Sequence, residues 1–386
     1  MNAAGEHLAG AGRRALVVGG AGPTGPLVVN GLLRRGFAVT VLSTGRHPAT
    51  FEGGVERIVA DPHFAEPLEA ALSGREFDVA IAQYGRLRLV AAALAGRTKQ
   101  FIAISTRAYP GWLDPASMRR PTGAPTNLAE LPLRFYDGAT PVSEATPLEA
   151  VSKFDQRVIE ADQDVRLRHE RGDFSATILR YPRLYGPRQN AAVEWSILRR
   201  LIDGRRRLLA PEGGFLVRST LFSENAARIV LAVVDNPDFV AGEVFNCADA
   251  EALTQRRWMQ SIAAVFGCEI ELVSLPMAMA PPAWPYARYP LAVGHQVLDT
   301  TKLARLGVDL VPSATALRET IEWYLEDPVR GHAVEAALRD PFDYALEDRI
   351  MAEVDRAQSA INAMVGDLPA YAHPLAHPKA PGDDQR

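Results

Sequence analysis

The chain has 386 residues, 47% of them hydrophobic, and a formal net charge of −4, enough to bury one large core or two intimate domains. Basic and acidic residues are interspersed, which argues against nucleic acid as the main partner. Two cysteines, Cys247 and Cys268, indicate neither a disulfide framework nor a zinc site, and no apolar run is long enough to span a bilayer, so a cytoplasmic protein without a membrane partner is expected.

Residues 1–13 read as a loose leader without the apolar core of a signal peptide. The run 15–25 (ALVVGGAGPTG) followed by 26–33 has the order strand, tight glycine turn, helix, with Gly19, Gly22 and Gly25 at the spacing GxxGxxG. Such a turn lets a pyrophosphate approach bare backbone, with N–H groups and the positive helix end facing its charge. Pro23 and Pro26 lack an N–H, which costs little where a helix begins, and Thr24 lies between them. Strands are expected at 38–42, 57–60, 79–82 and 101–104, and helices at 67–72 and 87–94. This alternation means right-handed crossovers and a parallel, doubly wound sheet.

From Tyr109 to Pro147 the chain is rich in Pro, Gly and Thr, which suits a lid or binding loop. Helix returns over 148–172, strand at 176–179, helix at 195–202 and again at 223–234 with Ser223 as its N-cap, then a short strand at 243–246. Residues 254–266 are amphipathic, 277–290 form a proline-broken apolar loop, and 343–365 read as one more amphipathic helix before a tail from 373 to 386. His373 and His377 are four apart, but a proline follows each, so they read as surface residues rather than metal ligands; no metal site is expected.

Several stretches together resemble the extended short-chain dehydrogenase/reductase family of the epimerase/dehydratase type: the glycine motif, 101–106 (FIAIST), 179–188 (LRYPRLYGPR), 221–227 (LFSENAA), 242–246 (GEVFN) and 299–302 (DTTK). The resemblance runs from about residue 14 to 325. It implies an α/β fold: a Rossmann-type domain over 14–180, a smaller substrate-binding part over 181–330 with both contributing to the sheet, and a helical C-terminal extension over 331–386.

For a cofactor the resemblance places Gly19, Gly22, Pro23, Thr24 and Gly25 at the pyrophosphate, with Tyr181 nearby and Asp61 beside the adenine, unless Asp61 caps its own turn. At the end of the second strand, where NAD binders usually hold a carboxylate on the ribose, the chain reads Ser43-Thr44-Gly45-Arg46. Without that carboxylate, and with Arg46 as a bidentate partner for a 2′-phosphate, the reading favours NADP(H), with NAD(H) as the alternative and a solvated Arg46 as its bland counterpart.

The family's proton carrier is a Tyr with a Lys four residues later, and none of the ten tyrosines here has that lysine. Aligning the dipeptide Ser152-Lys153 puts Glu149 in the tyrosine place; aligning the later helix puts Ser152 and Gln156 there; aligning the aromatic puts Phe154 there, followed by Val158. Thr106, or Ser105 beside it, corresponds to the hydroxyl that holds the substrate oxygen, and either also suits a strand-end cap. Tyr109, Lys153 and Glu149 are the candidate proton carriers, although Glu149 and Lys153 also have the spacing of a surface helix ion pair.

Tyr181 and Tyr185 are further phenols near the site, Trp195 either lines the pocket or packs, and Arg218 corresponds to a phosphate ligand of nucleotide-sugar relatives. The arginine runs 199–200 and 205–207 suit an anion clamp or solvated helix ends. The expected function is a nicotinamide-nucleotide-dependent epimerase/dehydratase- or reductase-type enzyme for a small-molecule alcohol or carbonyl, with a non-standard acid/base, possible as a homodimer. The alternatives are a lyase or isomerase using the cofactor transiently or structurally, and a catalytically silent dinucleotide-binding sensor or scaffold.

Overall fold

The computed structural model describes residues 12–106, 108–110, 112, 134–135, 140–150, 152–287, 292–366, 368 and 380–381. Most of the loop expected between Tyr109 and Pro147, and the tail histidines His373 and His377, lie outside these residues. In chain order the first half comprises β1 (Arg14–Val18), α1 (Gly25–Arg34), β2 (Ala38–Ser43), β3 (Glu56–Val59), α2 (Ala65–Leu72), β4 (Phe77–Ala82), α3 (Leu87–Ala93), β5 (Thr98–Thr106), β6 (Arg134–Phe135), α4 (Lys153–Glu170) and β7 (Ser175–Tyr181). There follow β8 (Arg183–Tyr185), α5 (Val193–Ile202), β9 (Arg207–Pro211), β10 (Val217–Arg218), β11 (Thr220–Phe222), α6 (Ser223–Asp235), α7 (Pro237–Val240), β12 (Val244–Asn246), β13 (Leu253–Thr254) and α8 (Gln255–Phe266). The chain closes with β14 (Glu271–Leu275), β15 (Ala292–Val293), α9 (Thr301–Ala304), α10 (Ser313–Glu326), α11 (Ala333–Ala337) and α12 (Tyr344–Val365).

Seven strands form one parallel sheet in the order β12-β7-β5-β4-β1-β2-β3. Its order reverses between β1 and β4, and a ligand crevice is expected at the carboxyl ends of the strands there. Alternating side chains divide the core between the two faces. Val17, Val41, Ile81, Ile102 and Leu179 pack with Val28, Val29 and Leu32 of α1 and Ile229, Val230 and Val233 of α6. Leu16, Leu42, Ala80, Phe101 and Ile178 pack with Leu68 and Leu72 of α2, Val90 of α3 and Val165 of α4. Burying each large aliphatic side chain contributes roughly 1.5–3 kcal/mol. These two clusters hold the strand ends in register, and the strand ends in turn place the site.

Two helix starts differ from expectation. The helix expected from residue 148 begins at Lys153, because Ser152 caps it: its backbone is extended, and its Oγ accepts the Asp155 N–H at 3.1 Å. Ser223 is the first helical residue of α6, and Phe222 occupies the N-cap position.

By contacts the chain forms two compact units, one up to Phe342 and one from Asp343. In the second, Asp343 caps α12 by accepting the Leu346 N–H at 3.0 Å. Among the described residues no helix is long and apolar enough to cross a membrane.

Candidate active site

The glycine turn sits at the switch point, immediately after β1 and beside the carboxyl end of β4. Gly19 donates its N–H to the Leu42 carbonyl (2.9 Å), Gly22 to Gly19 (3.1 Å) and Gly25 to Gly22 (3.0 Å). Two of these donors are thus spent within the turn and the third ties it to β2. Two of its glycines are required by the fold: a Cβ on Gly19, at φ +90°, would lie 2.5 Å from the Tyr84 Cβ, and one on Gly25 would lie 2.2 Å from the Gly20 carbonyl oxygen. Gly22 is different, since its Cβ would meet nothing nearer than the Gly19 oxygen at 3.4 Å. Its surface is bare, with room for a close approach to the backbone.

Beside it, Thr24 Oγ1 donates to Gln83 Oε1 (2.6 Å), while the other end of that amide, Nε2, is buried without a hydrogen-bond partner. A buried donor without an acceptor costs about 1–3 kcal/mol, so this amide fits the oxygen-rich backbone of a dinucleotide. The sequence reading missed Gln83, which follows β4 rather than belonging to the glycine motif.

Ser43 ends β2, and its Oγ accepts the Gly45 N–H at 3.4 Å. Asp61 caps its own turn: its Oδ1 accepts from the His63 N–H (3.0 Å) and lies 2.8 Å from His63 Nδ1. The backbone bond from His63, its ring and the charge of Arg46 hold the Asp61 carboxyl below its ordinary range. Arg46 is exposed, and its charge is the least of these influences on Asp61.

At the end of β5, neighbouring residues point to opposite sides of the sheet. Thr106 lies on the α1/α6 side, half-buried, and its Oγ1 makes only a long bond to the Tyr181 carbonyl (3.4 Å). Ser105 lies on the α4 side and donates to Asp162 Oδ1 of α4 at 2.5 Å. Its register partner on β7 is Arg180, whose own partner on β12 is Asn246. Arg180 Nε donates to Asp162 Oδ2 (3.1 Å) and its Nη1 to the Tyr109 hydroxyl (3.2 Å), which donates to Asn246 Oδ1 (2.6 Å). The Asn246 N–H completes the row on Glu144 Oε1 (2.7 Å). Burial pushes the Tyr109 phenol and the Asp162 carboxyl up, against the opposing pull of Arg180. Of this row the sequence singled out only Ser105 and Tyr109.

The remaining candidates are dispersed. Glu149 is exposed and precedes α4, with its N–H on the Ala108 carbonyl (2.8 Å), whereas Lys153 is exposed at the first position of the helix. They share no helical face, which removes the i, i+4 ion-pair reading. Phe154 is likewise exposed. Tyr181 is buried with its hydroxyl 3.4 Å from the Ala226 carbonyl.

Tyr185 is buried against Phe222 and Trp258 and faces Asp249, whose Oδ1 accepts from the Phe222 N–H (3.0 Å) and Asn225 Nδ2 (2.8 Å). Burial pushes the Asp249 carboxyl up to about 6. Trp195 packs: it is fully buried, with its indole N–H on Glu335 Oε1 (2.8 Å). Arg218 is buried in β10, paired with β13. The run 199–200 is neither a clamp nor a solvated end, since Arg200 forms a fully buried pair with Asp340 (2.6 Å) and Arg199 binds Asp203 and Glu335; in the run 205–207, Arg206 is exposed and Arg207 pairs with the exposed Glu271 (2.8 Å).

A family model described as the NAD dependent epimerase/dehydratase family matches residues 15–248. No curated protein matches the chain. Among solved structures, a UDP-N-acetylglucosamine 4-epimerase from Methanobrevibacter ruminantium is similar at 17% identity and a TM-score of 0.62, covering 82% of this chain and 99% of that one. A UDP-glucose 4-epimerase from Thermus thermophilus in complex with NAD has 20% identity and a TM-score of 0.60, with 81% and 99% covered. A dTDP-glucose 4,6-dehydratase from Streptomyces venezuelae with NAD bound has 19% identity and a TM-score of 0.59, with 81% and 97% covered.

At these identities the likeness shows the fold. The dinucleotide in the dehydratase and in the Thermus epimerase is NAD, and so it is in a similar dehydratase from Bacillus anthracis. This overturns the preference for NADP(H). The argument for a 2′-phosphate rested on Arg46, which is exposed on the loop after β2, as the solvated reading has it.

Proposed function

The chain belongs to the NAD dependent epimerase/dehydratase family, and we propose that it binds NAD(H) at the switch point and acts on a small-molecule alcohol or carbonyl, a nucleotide sugar. The bare Gly22 beside the buried, acceptor-seeking Gln83 amide carries this reading. Gly22, Pro23 and Thr24 would face the pyrophosphate, Gln83 Nε2 would donate to it or to the adjoining ribose, and Ser43 would lie at the adenosine end. When bound, NAD supplies a hydride acceptor.

β1 and β5 flank β4, so Thr106 lies two strand spacings, about 10 Å, from the turn. Its weakly engaged hydroxyl is free to turn toward a substrate oxygen and orient it. The exposed Glu149 and Lys153 are assigned no part in proton transfer. The nucleotide-sugar class draws support from the relatives, among them a Thermotoga maritima epimerase holding UDP-glucose.

The test mixes the NAD-loaded protein with UDP-glucose, UDP-N-acetylglucosamine and dTDP-glucose in turn, following reduced-nicotinamide absorbance and analysing products by chromatography. At least one sugar nucleotide should be converted, with absorbance that rises and falls back in an epimerase or dehydratase and persists in a dehydrogenase. Thr106→Val should abolish conversion and leave NAD affinity intact. Conversion of none of the three counts against the substrate class, and unchanged turnover in Thr106→Val removes Thr106 from the reaction.

A further inference from the structure

This inference deepens the proposed reaction and rests on it: the family's Tyr–Lys pair is absent, so a proton must travel by another route. Across β5, β7 and β12 the register sets Ser105, Arg180 and Asn246 in one row on the α4 side of the sheet, at its carboxyl edge. Three members of the buried network are sealed from solvent, with Asp162 at 2%, Arg180 at 4% and Tyr109 at 1% exposure; Ser105 is half-buried. Of the two side chains that hydrogen-bond the Asp162 carboxylate, Ser105, at the carboxyl edge of the sheet, is the one not sealed from solvent.

That hydroxyl is committed as a donor, since its proton lies on Asp162 Oδ1 at 2.5 Å. What Ser105 presents to the crevice is a pair of lone pairs, able to accept a proton and unable to donate one until Asp162 returns its own.

We propose that Ser105 and Asp162 form the proton relay that stands in for the absent Tyr–Lys pair. In the oxidative direction the substrate C–H bond breaks, and its electron pair leaves as hydride to the nicotinamide. The O–H bond breaks with its electrons forming the C=O bond. Its proton passes to Ser105 Oγ as the Ser105 proton passes to Asp162 Oδ1. Reduction of a carbonyl reverses every transfer.

The surroundings suit an acceptor. The charged or titratable groups around Asp162 are Arg180 on β7, Arg166 one turn along α4 and, through Arg180, Tyr109. Burial favours the neutral carboxyl, and Arg180 pulls the other way, toward the ionised form. Arg180 is a positioning residue here, holding Oδ2 so that Oδ1 faces the serine.

The test has two readouts on the full-length protein. With NAD alone bound, infrared difference spectra of wild type against Asp162→Asn report the protonated carboxyl band as pH is lowered. The relay expects the band to appear at a pH above the ordinary aspartate value of about 3.9, and appearance only at or below that value overturns it.

With a converted sugar nucleotide, Ser105→Ala should slow nicotinamide reduction about 100-fold or more, Ser105→Thr should restore most of it, and NAD affinity should stay unchanged. The acid limb of the wild-type rate should follow the Asp162 band and vanish in Asp162→Asn. A limb that persists there, or full activity in Ser105→Ala, overturns the relay. Because Asp162→Asn leaves Arg180 unpaired and can impair folding, Ser105→Ala carries the test independently. A silent sugar-nucleotide screen counts against the substrate class, while a carboxyl band that appears only at or below the ordinary value still overturns the relay.

Discussion

Gly22→Ala separates a ligand site from a mere turn. The added methyl would meet only the Gly19 carbonyl oxygen at 3.4 Å, an ordinary contact, and the residue does not need a positive φ. Replacing such a glycine restricts the unfolded chain and typically stabilises the fold by about 0.4–1 kcal/mol. The variant should therefore unfold at the wild-type urea concentration or slightly above.

Its effect should fall on binding. A methyl on the surface where the pyrophosphate must approach backbone is expected to weaken NAD at least tenfold, about 1.4 kcal/mol. Gly25→Ala is the counterpart, because its Cβ would lie 2.2 Å from the Gly20 oxygen and 2.3 Å from the Gly20 carbonyl carbon. Backbone atoms cannot swing aside, so overpacking should cost about 1–3 kcal/mol of stability.

Calorimetric NAD titration and urea unfolding of the three proteins decide the matter. Wild-type NAD affinity in Gly22→Ala refutes the ligand reading of the turn. Destabilisation of Gly22→Ala to the level of Gly25→Ala refutes the geometry from which the reading is drawn.

Other expectations follow from the same contacts. The Asp249 carboxyl titrates at about 6 in the folded protein and near 4 when unfolded, so stability present at low pH should be lost as pH rises through that window, by about 3 kcal/mol. Asp249→Asn keeps an acceptor for the Phe222 N–H and Asn225 and should remove this slope; unfolding free energies with parallel pH dependence in the two proteins contradict it. Ser152→Ala removes the cap of α4 and should cost about 1 kcal/mol in thermal or urea unfolding. Lys153→Ala, at the exposed neighbouring position, should leave NAD affinity and turnover unchanged, and a large loss of turnover would return Lys153 to the reaction.

The sheet was legible because its signals are local. Four apolar residues before Gly19 and the alternation of short strands with helices sufficed for β1 to β5, which the structure places within a few residues of expectation. The start of α4 was not, because Leu148, Glu149 and Ala150 are ordinary helix formers, and the Ser152 cap, a local hydrogen bond, outweighs their propensity.

The buried row was out of reach for a different reason. Ser105 and Asp162 are 57 positions apart, and Asp162 sits in a helix so polar that one more aspartate carries no signal. What distinguishes Asp162 is the register that brings Ser105 and Arg180 side by side beneath α4. Arg46 shows the converse error. Its sequence context suggested a phosphate partner, but the side chain is exposed after β2 and the similar structures with a dinucleotide hold NAD.

The most direct test of the account is the binding of NAD(H) to the purified protein, followed by nicotinamide fluorescence and calorimetry, with any co-purified nucleotide identified by mass. Saturable binding of NADH or NAD, weakened by Gly22→Ala, is the predicted result. Failure of either nucleotide to bind, with the protein folded and none co-purified, would mean that the glycine turn serves the fold alone and would contradict the proposed chemistry.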